Sequence, residues 1–197
     1  MIKNFLIAFA VAFVSGVGFG FLDHMSGSSS STATFLPIVF GALTFFVLQM
    51  RAGNRKEVRV DDASRRASLS AVAPAGQALL YLYREGFAGK AVGWNVSLDG
   101  SALAQLRSPR FTQTTLSPGP HTLRVSLDGL AGTQNKPGEA TFEAQPGEVI
   151  VFAMKAKMTL LSSTLTFVRE QETRTALQKL AKMPMVAAER TPEAKAA

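Results

Sequence analysis

Two histidines, His24 and His121, and no cysteine occur among the 197 residues, and this bounds the chemistry open to the chain. Thiolate catalysis, disulfides, cysteine zinc sites and a lipid-modified N-terminal cysteine are excluded. A catalytic zinc held by two histidines needs both in one place. His24 ends an apolar run and His121 follows a proline turn, so no such pair is expected. A general base needs an oriented partner, and no acid stands at a spacing that supplies one, so His121 reads as a turn-packing residue. The pentapeptide Val-Ser-Leu-Asp-Gly occurs twice, at 96–100 and at 125–129. A calcium loop needs several oxygen ligands at close spacing; neither copy has a second acid, so Asp99 and Asp128 read as turn residues. No G-x-S-x-G elbow, phosphate loop or dinucleotide fingerprint is present. The expectation is a protein that is not an enzyme and that takes no cofactor and no metal.

The remaining chemistry is carried by cations and aromatic rings. The formal net charge is +7, and Arg51, Arg55, Lys56, Arg59, Arg65 and Arg66 crowd behind the second of two apolar runs. On a helix continuing past Met50, Arg51, Arg55 and Arg59 share a face. Anionic headgroups attract such a cluster by about 1 kcal/mol per cation near the surface, so Arg51, Arg55, Lys56 and Arg59 are candidate lipid-headgroup contacts. Arg107, Arg110 and Arg124 make a second basic set, but without interleaved exposed aromatics no nucleic-acid partner is expected. Tyr81, Tyr83 and Trp94 could form a stacking platform for a ligand; Trp94 alternates with Val92 and Val96, which favours a place in a core. Ser68 stands in Arg-Arg-Ala-Ser-Leu, a basophilic kinase pattern that arises readily by chance.

These residues are positioned by an apolar front and a strand-rich back. Ile2–Leu22 is nearly uncharged and long enough to cross a hydrocarbon core of about 30 Å. Ala8, Ala12, Gly16 and Gly20 recur at every fourth position and give that helix a small-residue face for packing against another helix. A polar connector follows, and then a second apolar run; 32–50 is near spanning length, with Pro37 in its first turns. Residues 1–50 are therefore expected to form a transmembrane helical hairpin (2–22 and 32–50). Lys3 and the cluster after Met50 flank it, the connector has no cation, and the positive-inside rule places both termini in the cytoplasm. The alternatives are cleavage of 1–22 as a signal peptide, or an extracytoplasmic C-terminal domain if one run fails to span.

Residues 51–76 lack apolar periodicity and are expected as a basic juxtamembrane segment and flexible linker. From Gln77 the period changes to two. Leu79, Tyr81 and Tyr83 face one way and Leu80 and Leu82 the other, a strand covered on both sides. Val92, Trp94, Val96 and Leu98 alternate up to Asp99-Gly100, a tight-hairpin dipeptide. Ser117-Pro118-Gly119-Pro120 and Pro146-Gly147 are further turns, and a longer loop, Leu130–Gly138, follows the second Asp-Gly. Residues 77–183 are expected as an antiparallel β-sandwich in which the strand, Asp-Gly and Pro-Gly order is used twice. A C-terminal helix over Glu170–Met183, with Ala176, Leu177, Leu180 and Met183 on its apolar face and a Glu170–Arg174 ion pair, lies on it. Residues 184–197 are expected to be disordered. The fold class is mainly β behind a two-helix hairpin.

Tyr-Leu-Tyr-Arg-Glu at 81–85, with "FAGKAVGWNVSLDG", "LSPGPHTLRVSL" and "TFEAQPGEVIVFAMK", resembles a bacterial domain-of-unknown-function family with a small β-sandwich, often on lipoproteins, and is similar to PEGA-type surface domains. The resemblance spans 77–183 and implies a fold and an envelope or membrane context, with no activity. This chain departs from it in having the hairpin and no lipidation cysteine. The function expected is that of a membrane-anchored, non-enzymatic binding protein of a bacterial inner membrane, multi-pass, whose partners are membrane lipids and a protein or envelope component. The alternative is a structural, lipid-associated homo-oligomer that self-associates through its hairpin.

Overall fold

A computed structural model describes residues 2–27, 32–86, 90, 92–128, 132, 135–158 and 163–189. The chain divides into two compact units, Met1–Ala52 and Gly53–Ala197.

The first unit holds α1 (Ile2–Ser26) and α2 (Thr32–Arg51). α1 is apolar on all sides, and it is long and apolar enough to cross a membrane. The apolar part of α2, Phe35–Gln49, is shorter than a spanning helix. The expected pair of spanning helices is thus met in length by α1 alone. The two helices pack antiparallel. Asn4 Nδ2 donates to Gln49 Oε1 (3.1 Å) near one end, and the Phe19 and Phe40 rings stack near the other. Small residues permit this approach: a methyl added at Gly41 would lie 2.8 Å from Ala12 Cβ and 3.3 Å from the Ala8 carbonyl oxygen.

The second unit is two packed sheets with helices on one outer face. Its strands are β1 (Ala78–Arg84), β2 (Trp94–Leu98), β3 (Ser101–Leu106), β4 (Arg110–Leu116), β5 (Gly119–Ser126), β6 (Asn135–Lys136), β7 (Gly138–Ala144), β8 (Val149–Met158) and β9 (Ser163–Arg169). One sheet runs β4-β1-β8-β9-β6 and the other β3-β2-β5-β7. The helices α3 (Asp62–Ser68) and α4 (Thr173–Leu180) complete it. Over the described chain the four helices hold about as many residues as the nine strands, so the class is mixed rather than mainly β. The sheets are not purely antiparallel either, because β1 pairs with β8, and β6 with β9, in parallel.

For the β1–β8 pair the cause lies in the two Pro-Gly turns. Each takes the positive φ that only glycine adopts without strain, at Gly119 (124°) and Gly147 (79°). Neither closes a hairpin within one sheet: the first carries the chain from β4 to β5, the second from β7 to β8, each time across to the other sheet. The Asp99-Gly100 turn does close a hairpin, β2 to β3, with φ of 50° and 81°. The two Val-Ser-Leu copies are neighbours: β2 and β5 pair antiparallel with Val96 opposite Val125. Gly129, which ends the second copy, and 130, 131, 133 and 134 of the expected loop lie outside the described residues, while Asn135–Lys136 of that loop form the short strand β6.

All seven residues of β1 are buried. Ala78, Leu80 and Leu82 enter the core between the sheets with Trp94, Val96, Leu98, Leu123 and Val125. Leu79, Tyr81 and Tyr83 enter a second core under α4, with Phe111, Ala176, Leu180, Met183 and Met185. The aromatic residues therefore fill cores, and no ligand platform is formed by Tyr81, Tyr83 or Trp94. α4 is shorter than expected, beginning at Thr173, and the Glu170–Arg174 pair does not form as an i,i+4 contact within it. Instead the Tyr83 hydroxyl donates to Glu170. Burial, followed by the adjacent Glu170 carboxylate, pushes the Tyr83 phenol well above its usual range.

Two segments expected to be mobile are parts of this unit. Residues 53–69 run along the β-domain and form α3, capped by Asp61, whose Oδ1 accepts from the backbone N–H of Ala63 and Ser64 (2.9 Å each). Residues 184–189, expected to be disordered, are extended and docked, with Met185 and Val186 buried. The rest of the expected disordered tail, 190–197, lies outside the described residues.

Candidate interaction site along the terminal seam

The residues after α2 are fixed by three side chains of the β-domain. Gln105, 3% exposed on β3, is the first. Its Nε2 donates to the Gly53 carbonyl (2.9 Å) and to Asn95 Oδ1 (2.8 Å), and its Oε1 accepts from the Arg55 N–H (2.6 Å). A buried amide that satisfies both ends in this way specifies one docking geometry. Its room is provided by Gly93, where a methyl would lie 2.4 Å from the Gln105 side-chain carbon. Second and third, Arg107 grips Glu57 through Nε and Nη2 (2.8 and 2.9 Å), and Arg110 reaches the same carboxylate. This arrangement consumes two members of the expected second basic set; Arg124 stays exposed on β5.

The other side of the seam is the C-terminal strap, Pro184–Glu189. Arg55 Nη1 binds both oxygens of Glu189 (2.8 and 3.0 Å), and Arg55 Nη2 donates to Asn95 Oδ1 (2.9 Å). Arg65 Nη1 donates to the Ala181 carbonyl (2.7 Å). Two open grooves follow the seam. One, of about 370 Å³, is lined by Arg59, Asp61, Asp62, Arg65, Lys182 and their neighbours. The other, of about 160 Å³, lies along Arg55–Val58, Gln105 and Val186–Glu189.

The four expected headgroup contacts therefore part company. Arg55 is committed to Glu189 and Asn95, whereas Lys56 and Arg59 are exposed and, among the described residues, without an ion-pair partner. Arg51 closes α2, and its side chain lies outside the described residues. A cation that sequence spacing does not suggest, Lys182, joins Arg59 in lining the larger groove. In the small-residue face of α1, Ala8 is buried, Ala12 meets Gly41, and a methyl on Gly16 would lie 3.7 Å from Pro37; Gly20 has nothing within 4 Å.

His121 has the partner that spacing does not reveal. Its Nδ1 lies 2.7 Å from Asp99 Oδ2 and its Nε2 lies 2.8 Å from the Ser117 carbonyl. Both partners are acceptors, so only the doubly protonated ring donates to both. Burial alone would lower the imidazole's pKa, but the hydrogen bonds to Asp99 and to the Ser117 carbonyl, with the Asp99 charge, outweigh it and hold the value above the ordinary one. A raised folded-state value contributes stability that is fully present below the unfolded value of about 6.5 and is lost as pH rises through the folded value. Thermal unfolding followed from about pH 6 to about pH 9 should show a falling midpoint that Asp99→Asn flattens. Asparagine tolerates the positive φ at this turn, so the variant removes the charge and keeps the hairpin. An equal fall in both proteins would count against the pair as its cause.

Among the described residues, no three histidine, cysteine, aspartate or glutamate side chains come together as metal ligands. The chain matches no protein-family model and no curated protein.

Proposed function

We propose that the protein is a membrane-anchored, non-enzymatic binding protein in which α1 and α2 form a membrane-embedded hairpin and the β-domain presents the seam to a partner. The observation that carries this reading is α1. Only 6% of its spanning window is buried, and Ile2, Phe5, Phe9, Phe13 and Val14 are exposed along it. A soluble protein does not leave so long an apolar helix open to water, and α2, with Phe35, Ile38 and Leu43 exposed, adds a second surface of the same kind. The length of α2 suffices if the flanking residues and a locally thinned bilayer make up the difference.

The cation distribution supports a β-domain on the cytoplasmic side of the membrane, with Lys56 and Arg59 available to anionic headgroups. Self-association through the hairpin is the weaker reading, because Ala8, Ala12 and Gly16, which would serve it, already lie against α2.

The experiment is alkaline extraction of membranes containing the full chain, joined at its C-terminus to a reporter active on one side of the membrane. Retention in the pellet with cytoplasmic reporter activity is expected. Release into the supernatant would remove the embedded hairpin, and activity on the far side would reverse the orientation.

A further inference from the structure

β4 is an edge strand of its sheet, and edge strands carry a row of unpaired main-chain groups that another strand can take up. Here those of Phe111 are taken up by the Pro184–Glu189 strap. The Phe111 N–H donates to the Pro184 carbonyl (3.2 Å) and the Val186 N–H to the Phe111 carbonyl (2.8 Å), a parallel bridge between Phe111 and Met185. The far side of the strap is paired in turn: Val60 N–H donates to the Met185 carbonyl (3.1 Å) and Ala187 N–H to the Val58 carbonyl (2.9 Å), an antiparallel bridge between Arg59 and Val186. Successive strap residues point to opposite faces as in any strand, so Met185 enters the core under α4 and Val186 the core between the sheets. The Ser68 hydroxyl lies 3.3 Å from Met185 Sδ, and Arg65 binds the Ala181 carbonyl.

We infer that the edge of β4 at Phe111 is a strand-accepting site filled in cis by Pro184–Glu189, and that its filling is what docks Val58–Val60 onto the β-domain. The main-chain partners of Val58 and Val60 are strap residues, whereas Gly53, Arg55 and Glu57 have separate anchors on Gln105, Arg107 and Arg110. Displacement of the strap therefore releases Val58–Val60, with Arg59 between them, while the first residues after α2 keep their own anchors and α3 stays held by the Tyr81 hydroxyl on the Ser68 carbonyl and by Arg65 on the Ala181 carbonyl. The site fits an extended peptide with two successive apolar side chains, one for each core, held by main-chain hydrogen bonds as in strand addition.

Hydrogen exchange of the full chain in detergent micelles tests this with two variants. Ala187→Pro removes the N–H given to Val58 and leaves the Phe111 pair in place. It should speed exchange in 58–60 about tenfold, as expected for one lost main-chain hydrogen bond, with no change in β1 and β8. Val186→Asp should expose the same residues more fully, and a synthetic peptide of residues 182–189 at about 1 mM should slow them again. Unchanged exchange in 58–60 in both variants would overturn the docking role. Loss of protection throughout β1 and β8 in Ala187→Pro would show that the strap is inseparable from the core and would overturn it equally. Failure of the peptide to protect would overturn the strand-accepting site.

Discussion

Arg84→Ala should lower the unfolding free energy by about 3–5 kcal/mol, the range for removing a large side chain from a packed interior. Arg84 is 1% exposed on β1. Its Nη1 donates to the Val92 carbonyl (2.5 Å) and the Leu106 carbonyl (3.3 Å), and its guanidinium lies 4.0 Å from the centre of the Trp94 ring. Desolvation alone makes a buried cation costly, and burial pulls this guanidinium down to about 10, which still leaves it protonated at neutral pH. The carbonyls and the ring face offset that cost. Methionine in place of Arg84 separates the contributions: it restores most of the volume but removes the donor of both carbonyls, at about 1–3 kcal/mol in all. Denaturant unfolding should therefore rank wild type above Arg84→Met and Arg84→Met above Arg84→Ala. A methionine variant as stable as the wild type would show that Arg84 contributes through volume alone.

Arg84 also marks the limit of what pattern reveals. Alternation identified the faces of β1 and β2 correctly, because a two-residue period fixes which side chains turn inward: Trp94, Val96 and Leu98 are buried while Asn95 and Ser97 are half-exposed. The Asp99-Gly100 hairpin was equally legible, since its dipeptide is selected by local φ. The Pro-Gly turns were legible as reversals, but turn chemistry says nothing about which sheet the next strand joins, and so the parallel pairs were hidden. Contacts between distant residues left no local trace at all. His121 and Asp99 are 22 residues apart, and Glu57 and Arg107 are 50 apart.

The docked terminal segments did leave a faint signal. Val58, Val60 and Leu69 in one, and Met183, Met185 and Val186 in the other, are apolar residues in otherwise polar stretches. Composition averaged over 51–76 diluted the first set. The second was separated by Pro184, which ends a helix but is well tolerated in an extended edge.

Glu57→Gln tests whether those segments are held by charge as well as by strand pairing. The Glu57 side chain is 3% exposed and receives Arg107 and Arg110, which are 33% and 14% exposed. Removing one partner of a buried pair leaves its counter-charges uncompensated, at about 3–5 kcal/mol. Arg107 keeps part of its solvation, so the lower end, about 3 kcal/mol, is expected here. Glutamine retains the shape and one acceptor, so the loss reports on charge rather than on packing. The unfolding midpoint should fall, and trypsin should cut at Arg55 and Lys56 faster than in the wild type, because the anchor nearest those bonds is gone. Reversing the test, Arg107→Gln should cost less, since Arg110 still neutralises the carboxylate. Equal losses in the two variants would mean that Arg110 does not share the charge, and an unchanged cleavage rate in Glu57→Gln would leave Gln105 as the contact that holds residues 53–57.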